Sequence, residues 1–183
     1  MLPLYETDRL ILRTISPLYA DQVLEFYINN KDIFEPYEPT RAINFYTKAY
    51  QKTLLTYECN TTSKLQNIRF WIFKKYDPDK IIGTVSFSNI QPFIYSSCNI
   101  GYKFDKCYHH QGYALESLNK LIDIIFNDYS LHRIKAYIMP NNISSKKLIK
   151  RAGFTLEGIA RKNIFIKDVW EDHEQYSLIN ENL

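Results

Sequence analysis

The stretch YHHQGYALES, residues 108–117, places a polar turn with one glycine directly before the most helix-prone part of the chain. Apolar residues then recur at helical spacing and predict a helix over residues 113–129. A helix begins with about four backbone N–H groups that lack internal partners, and its dipole adds about half a positive charge there. A glycine in the preceding turn lets a bulky anion reach those groups, so the stretch indicates a phosphate-binding turn. The alternative is that Gly112 only closes a tight turn, because no Walker lysine pattern and no GxGxxG accompanies it.

The sequence around this turn predicts a single domain over residues 1–183, because no linker, repeat or low-complexity tract interrupts it. Alternating or β-rich runs predict seven strands, at residues 9–15, 68–75, 81–89, 97–104, 133–139, 154–166 and 169–179. Turns are predicted at residues 77–79 and 167–168, and the short connections within residues 68–104 favour antiparallel pairing. We therefore expect an α+β fold with a mixed, mostly antiparallel twisted sheet of about seven strands.

About four helices are expected to flank this sheet. The first follows the strand at residues 9–15, and Thr40 is placed to cap the second. The third is the helix that follows the glycine turn. The fourth is short: Asn141 or Asn142 can cap its start, and Gly153 can end it in the left-handed conformation.

Charge and composition limit the classes of partner. The net charge of +3 is too small to argue for nucleic acid by itself, and we expect no direct nucleic-acid binding. Between Arg133 and Lys167, however, nine Lys and Arg residues accompany a single carboxylate, Glu157. That segment either faces an anion or is an ordinary solvated basic surface, and the sequence leaves both open.

The cysteines and the N-terminal sequence predict the compartment. Three cysteines lie far apart with no CxxC pair, which is typical of a reducing compartment. The opening MLPLYETDRLI carries early acidic residues and resembles no signal peptide, and no apolar run reaches the ~20 residues of a membrane helix. We expect a cytoplasmic chain that does not associate with membranes. Cys107, His109 and His110 lie close in sequence, but no distant Cys or His cluster completes a ligand set, so we expect no metal.

Four segments in order resemble the GNAT superfamily of N-acetyltransferases, and in particular the branch of bacterial enzymes that acetylate the N-terminal alanine or serine of ribosomal proteins. They are ETDRLILRTI at 6–15, NIGYKFDKCYHHQGYALESL at 99–118, LHRIKAYIMPNNISSKKLIKRAGFTLEGIARK at 131–162 and DVWEDHEQYSLI at 168–179. The resemblance covers nearly the whole chain and is weakest between residues 34 and 66. As a set the segments are specific, although each alone is not.

The resemblance implies a GNAT fold and acetyl-CoA as co-substrate. In the family, the turn before the long helix binds the diphosphate through backbone N–H groups, an Asn at the next helix contacts the pantetheine arm, and a basic helix edge suits the ribose phosphate. Carried over to this chain, the residues that contact acetyl-CoA are Phe104, His109, His110, Gln111, Gly112, Tyr113, Ala114, Asn142 and Lys147. The alternative for Asn142 is that it only caps the helix. The alternative for Lys147 is that it is an ordinary solvated side chain.

The resemblance also implies a catalytic role for Ser145, which matches a serine proposed to protonate the departing thiolate. Its alternative is a first-turn residue without a chemical role. The tyrosine acid of many superfamily members is absent, because Ile149 stands in its place. We expect a backbone N–H near residues 103–105 to stabilise the tetrahedral oxyanion.

No general base is evident in the sequence. The carboxylate found in some ribosomal-protein enzymes falls near Ile164, and Asn99 replaces a glutamate that is frequent in the matching strand. Glu35 and Glu38, in a proline-rich loop, are the candidates that remain. Positioning of the reactants alone can supply much of the rate.

The function predicted from these features is acetyl transfer from acetyl-CoA to a primary amine by direct attack on the thioester. The amine is either the N-terminal α-amine of a protein, such as a ribosomal protein, or a small amine such as a polyamine or an aminoglycoside. A protein of this fold that binds CoA without catalysis is the second alternative. The sequence is also compatible with a homodimer.

Overall fold

The computed structural model describes residues 3–182, in which eight strands form one sheet and five α-helices flank it. The strands are β1 Leu4–Glu6, β2 Leu10–Arg13, β3 Ile68–Lys74, β4 Asp77–Gln91, β5 Ser97–Phe104, β6 Arg133–Ile138, β7 Thr155–Ile166 and β8 Val169–Ile179. The helices are α1 Ala20–Asn29, α2 Lys31–Phe34, α3 Lys48–Ser63, α4 Tyr113–Asn127 and α5 Ile143–Arg151. Within this part of the chain, no helix has the length and apolar character needed to cross a bilayer.

The strand order across the sheet is β1-β2-β3-β4-β5-β6-β8-β7, and every neighbouring pair is antiparallel except β5 with β6. Those two strands are parallel and pair only from Ser97 to Asn99 on β5 and from Arg133 to Lys135 on β6. Beyond Asn99, β5 stays paired with β4 as far as Phe104, whereas β6 continues alongside β8. The two strands therefore separate and leave a split in the sheet.

Each face of the sheet has its own apolar core, because successive side chains of a strand point to opposite faces. On β3, Phe70 and Ile72 pack in the cluster that contains residues of α4 and α5. The neighbouring residues Trp71 and Phe73 pack in the other cluster, with residues of α1 and α3. The split therefore lies between a face covered by α4 and α5 and a face covered by α1 and α3.

The predicted fold class is confirmed, with two small additions. The strand predicted at residues 97–104 and the C-terminal hairpin that turns at residues 167–168 have nearly the predicted bounds. The structure adds β1, a strand of three residues that pairs with β2, and α2, a helix of four residues. Both elements are too short to produce a periodic signal in the sequence.

Two local predictions are wrong. The second helix is capped by Thr47 and not by Thr40, because the Thr47 hydroxyl accepts the Tyr50 N–H at 3.2 Å. The buried Gln51 side chain donates to the Phe45 carbonyl at 2.6 Å and fixes the preceding residues outside the helix. The turn predicted at residues 77–79 instead lies just before β4, which already begins at Asp77.

The contact between Gly83 and Phe104 gives a stability prediction. A Cβ at Gly83 would lie 2.4 Å from Cδ1 of Phe104 and 2.9 Å from the Lys103 carbonyl oxygen. Gly83→Ala should therefore lower the free energy of unfolding by about 1–3 kcal/mol, the range seen for overpacked cores. Urea unfolding of both variants measures it, with Gly101→Ala as control, because a Cβ there meets only the Ser86 hydroxyl at 3.3 Å. Equal stability of Gly83→Ala and the wild type would contradict this close packing of Gly83 against Phe104.

Candidate functional site

The turn before α4 exposes backbone donors. Gly112 is the N-terminal cap of α4 and has a φ of 84°, in the left-handed region that glycine adopts at little cost. No side chain caps this helix, and within residues 3–182 the N–H groups of Tyr113, Ala114 and Leu115 have no acceptor. Three unpartnered donors and the positive end of the helix dipole together give this turn the electrostatic character that suits an anion.

Contacts from the β1–β2 hairpin hold this turn in place. The Arg9 guanidinium lies 2.6 Å from Glu116 of α4, donates to the Gln111 carbonyl at 3.1 Å, and stacks 4.4 Å from the centre of the Tyr113 ring. Thr7 donates its hydroxyl to the same carboxylate at 2.5 Å. Burial raises the pKa of Glu116, but the hydrogen bonds from Thr7 and Arg9 outweigh it and hold the pKa below its usual value. The carboxylate therefore stays ionised and keeps Arg9 against the turn.

The polar side chains of the turn bind the turn itself. The Nε2 of His109 lies 2.9 Å from the carbonyl oxygen of Phe104, which accepts its hydrogen. Gln111 donates its side-chain amide to the Cys107 carbonyl at 2.9 Å. His110 is exposed and has a φ of 61°, which is uncommon outside glycine. The side chains of His109 and Gln111 therefore shape the turn, and the donors available to a ligand are mainly the backbone groups.

The end of β5 offers one more backbone donor. The Asp105 N–H is already donated to the Ile82 carbonyl at 2.9 Å, so it is not available to an oxyanion. This bond makes Gly83 and Phe104 a non-hydrogen-bonded pair, whose backbone groups point away from each other. The N–H of Phe104 therefore faces the split, although its side chain is buried in the core. Of the backbone donors expected near residues 103–105, the Phe104 N–H is therefore the candidate to bind an oxyanion.

On the other side of the split, Asn142 caps α5 by accepting the Ser145 N–H on its Oδ1 at 3.1 Å. The predicted cap is confirmed, and its side-chain NH₂ remains as a possible ligand donor. The adjacent Lys146 lies 2.7 Å from Glu174 of β8 and donates to the Pro140 carbonyl at 3.1 Å. Lys146 therefore fixes the start of α5, while the neighbouring Lys147 is exposed.

Ser145 is in contact with a residue that the sequence reasoning missed. Its Oγ lies 2.7 Å from the hydroxyl oxygen of Tyr102, and the Tyr102 hydroxyl lies 3.1 Å from the Ser145 carbonyl oxygen. Burial raises the pKa of Tyr102 to about 12. A sequence signal existed, since Tyr102 alternates with Ile100 and Phe104 and so places a hydroxyl among inward-facing side chains.

Ile149, which replaces the family tyrosine, is completely buried in the core beneath α4 and α5. A tyrosine at this position would overpack that core. The hydroxyl close to Ser145 is instead supplied by β5. Ile164 lies on β7, in the C-terminal hairpin, and is half-buried.

The two candidate carboxylates of the proline-rich loop are both engaged. Glu38 forms ion pairs with Arg41 and with Lys103 of β5. Glu35 accepts the Tyr46 hydroxyl at 2.8 Å. Neither is an unpaired base, and Glu38 instead joins its loop to the part of β5 that has no partner on β6.

The side-chain oxygen of Asn99 is buried, and within the described residues it has no hydrogen-bond partner. Residues 3–182 contain no group of three or more His, Cys, Asp or Glu side chains arranged to hold a metal ion.

Comparisons with known proteins identify the family. The family model described as acetyltransferase (GNAT) domain matches residues 9–155. The probable N-acetyltransferase YjcK of Bacillus subtilis (strain 168) is 36% identical over 169 residues, which cover 92% of this chain and 93% of that protein. The ribosomal protein uS5-alanine N-acetyltransferase of Escherichia coli (strain K12) is 32% identical over 170 residues, with coverage of 91% and 86%.

The solved structures agree with these relatives. The crystal structure of the ribosomal-protein-S5-alanine acetyltransferase of Vibrio fischeri superposes with a TM-score of 0.91 at 32% identity and covers 98% of both chains. The predicted resemblance is thereby confirmed: the chain belongs to the GNAT family of acetyltransferases and is an N-acetyltransferase.

Proposed function

We propose that this N-acetyltransferase transfers the acetyl group of acetyl-CoA to the N-terminal α-amine of a protein. The observation that carries the proposal is the split between β5 and β6, with unpartnered helix donors at its open end and Ser145 on its wall. Relatives that are 32% identical over most of the chain are named for acetylation of the alanine of a ribosomal protein, which supports a protein acceptor.

The geometry of the split suits a long acyl donor with a charged end. The diphosphate would accept the N–H groups of Tyr113 and Ala114 at the start of α4. The pantetheine arm would lie in the split, where β5 residues beyond Asn99 have no partner on β6 and Asn142 lines the opposite wall. Exposed Lys147 is available to the ribose phosphate.

The acceptor class follows from the contacts that already engage both candidate bases, Glu35 and Glu38. An α-amino group has a pKa of ~7.7–8.0, so roughly a tenth of it is neutral at pH 7, whereas a lysine at ~10.4 is almost entirely charged. Glu35 and Glu38 are held by Tyr46, Arg41 and Lys103. An α-amine needs little help to become the nucleophile, so this site favours it over the side chain of lysine.

The proposed function is tested with acetyl-CoA and a panel of acceptors, analysed by mass spectrometry. Peptides that begin with alanine or serine should gain one acetyl group at the α-amine. The same peptides with a blocked α-amine and an internal lysine are the control and should remain unmodified. Acetylation of polyamines or aminoglycosides alone would favour the small-amine alternative, and acetylation of no acceptor would favour CoA binding without catalysis.

The phosphate-binding turn is tested with a matched pair of glycine variants. Gly112→Val should abolish binding of acetyl-CoA, because the new side chain would enter the space of the diphosphate. Its Cβ alone would lie 3.2 Å from Nη2 of Arg9. Gly153→Val carries a similar backbone strain, with a φ of 91°, at the far end of α5. Saturating acetyl-CoA should stabilise the wild type and the Gly153 variant by roughly 3–4 kcal/mol in thermal unfolding, but not Gly112→Val. Normal binding by a folded Gly112→Val protein would refute the turn's role.

The role of Ser145 is tested by Ser145→Ala, which keeps the backbone N–H that Asn142 caps. Loss of a proton donor for the thiolate should lower kcat by roughly ten- to a hundredfold, with the Kd of acetyl-CoA nearly unchanged. Ser144→Ala, an exposed serine on the same helix turn, is the control and should retain full activity. If single-turnover rates of Ser145→Ala equal those of the wild type, water rather than the serine supplies the proton.

A further inference from the structure

We propose that Tyr102 is a positioning residue for acetyl transfer, whose hydroxyl orients the hydroxyl of Ser145 so that the serine proton points to the departing sulfur. The proposal rests on the function proposed above and extends it to a residue on β5.

The hydrogen-bond geometry allows two arrangements of the two protons. In one, Tyr102 donates a hydrogen bond to the Ser145 carbonyl at 3.1 Å, and the Ser145 hydroxyl donates to the Tyr102 oxygen at 2.7 Å. In the other, Tyr102 donates to the Ser145 Oγ and leaves the serine proton unused. Each hydroxyl carries one proton, so only the second arrangement presents a donor to the split. Rotation about two C–O bonds interconverts them.

The surrounding contacts fix both residues relative to the split. Tyr102 lies beyond Asn99, the last residue of β5 that pairs with β6. Ser145 is held through its own N–H by Asn142 and, one residue later, by the Lys146 contact with Glu174 at 2.7 Å. The Tyr102–Ser145 hydrogen bond therefore joins β5 to α5 across the place where the sheet opens.

The protonation state of Tyr102 suits this role. Burial raises its pKa to about 12, more than the hydrogen bond with Ser145 lowers it. Because the raised pKa favours the neutral form, the hydroxyl keeps its proton throughout the neutral pH range and acts as a constant donor.

The proton balance of the step is simple. The amine nitrogen bonds to the thioester carbon, and collapse of the tetrahedral intermediate breaks the C–S bond, with the electron pair going to sulfur. Sulfur takes the Ser145 Oγ proton, the amine releases its proton to water, and water returns one proton to Oγ. Tyr102 keeps its proton and its hydrogen bond stabilises the charge that develops on Oγ.

The experiment compares Tyr102→Phe, Ser145→Ala and the double variant in single-turnover assays. Tyr102→Phe should lower the rate roughly tenfold, the low end of acid–base contributions, with the Kd of acetyl-CoA and the Tm nearly unchanged. The double variant should be no slower than Ser145→Ala, because the tyrosine acts only through the serine. Tyr129→Phe is the control, since this half-buried tyrosine packs against the same core near the C-terminal end of α4.

The remaining outcomes either contradict the role of Tyr102 or separate it from the proposed acceptor. An unchanged rate in Tyr102→Phe, or a further loss in the double variant, would overturn the positioning role. A rate that falls only in proportion to the Tm or to cofactor affinity would show a structural contact. A wild type that acetylates small amines rather than peptides overturns only the proposed acceptor, and the Tyr102 test then runs on that acceptor. A wild type that acetylates nothing overturns both.

Discussion

Strands β5 and β6 pair in parallel through three residues each and then separate, and the site depends on this divergence. Backbone N–H and C=O groups that leave a ladder must find other partners, because an unpaired buried group costs about as much as a lost hydrogen bond. β4 and β8 hold the outer edges of the two strands, so the split is rigid on both sides. Its inner edges, including the N–H of Phe104, are left for water or for a bound molecule. The split is therefore preorganised, and a ligand bound there would require little rearrangement of the two strands.

The turn at the open end of the split contains a strained backbone conformation that neighbouring contacts support. His110 has a φ of 61°, a conformation that costs a residue with a Cβ on the order of 1 kcal/mol or more. Arg9 offsets part of this cost by binding Glu116, the Gln111 carbonyl and the Tyr113 ring at once. A strained turn supported by neighbouring contacts is typical of a ligand-binding site, because the donors are then aligned before the ligand arrives.

Short-range signals in the sequence predicted most of the fold, including the glycine turn before α4 and the cap of α5. Gly112 and Gly153 have left-handed backbone, and Asn142 caps α5 by accepting the N–H three residues ahead; all three signals are local. The start of α3 was mispredicted because two local side-chain hydrogen bonds decide it: Thr47 caps the helix, and Gln51 holds the Phe45 carbonyl, so the helix begins only at Lys48. Contacts between distant residues have no such signal.

The Tyr102–Ser145 contact is an example, because its two residues are 43 positions apart and neither local pattern points to the other. The position of Tyr102 among inward-facing residues of β5 indicated only that its hydroxyl needed a hydrogen-bond partner. Likewise, the sequence placed Glu38 in a candidate loop but gave no indication that Arg41 and Lys103 occupy its carboxylate. Local chemistry predicts which groups are present, and packing decides which of them remain available.

Side chains along β5 alternate between the two faces of the sheet, so the candidate groups for the two proton transfers lie on opposite faces. Tyr102 points to the face of α4 and α5, where Ser145 lies, and the adjacent Lys103 points to the opposite face, where the loop carrying Glu38 lies. In the proposed reaction, Ser145 on one face of this strand would serve the leaving thiolate. On the opposite face, the Glu38 carboxylate is already paired with Arg41 and Lys103, so it would not take the proton of the incoming amine. An amine that loses its proton readily to water is therefore the acceptor that suits this arrangement, which is the physical reason for expecting an α-amine rather than the side chain of lysine.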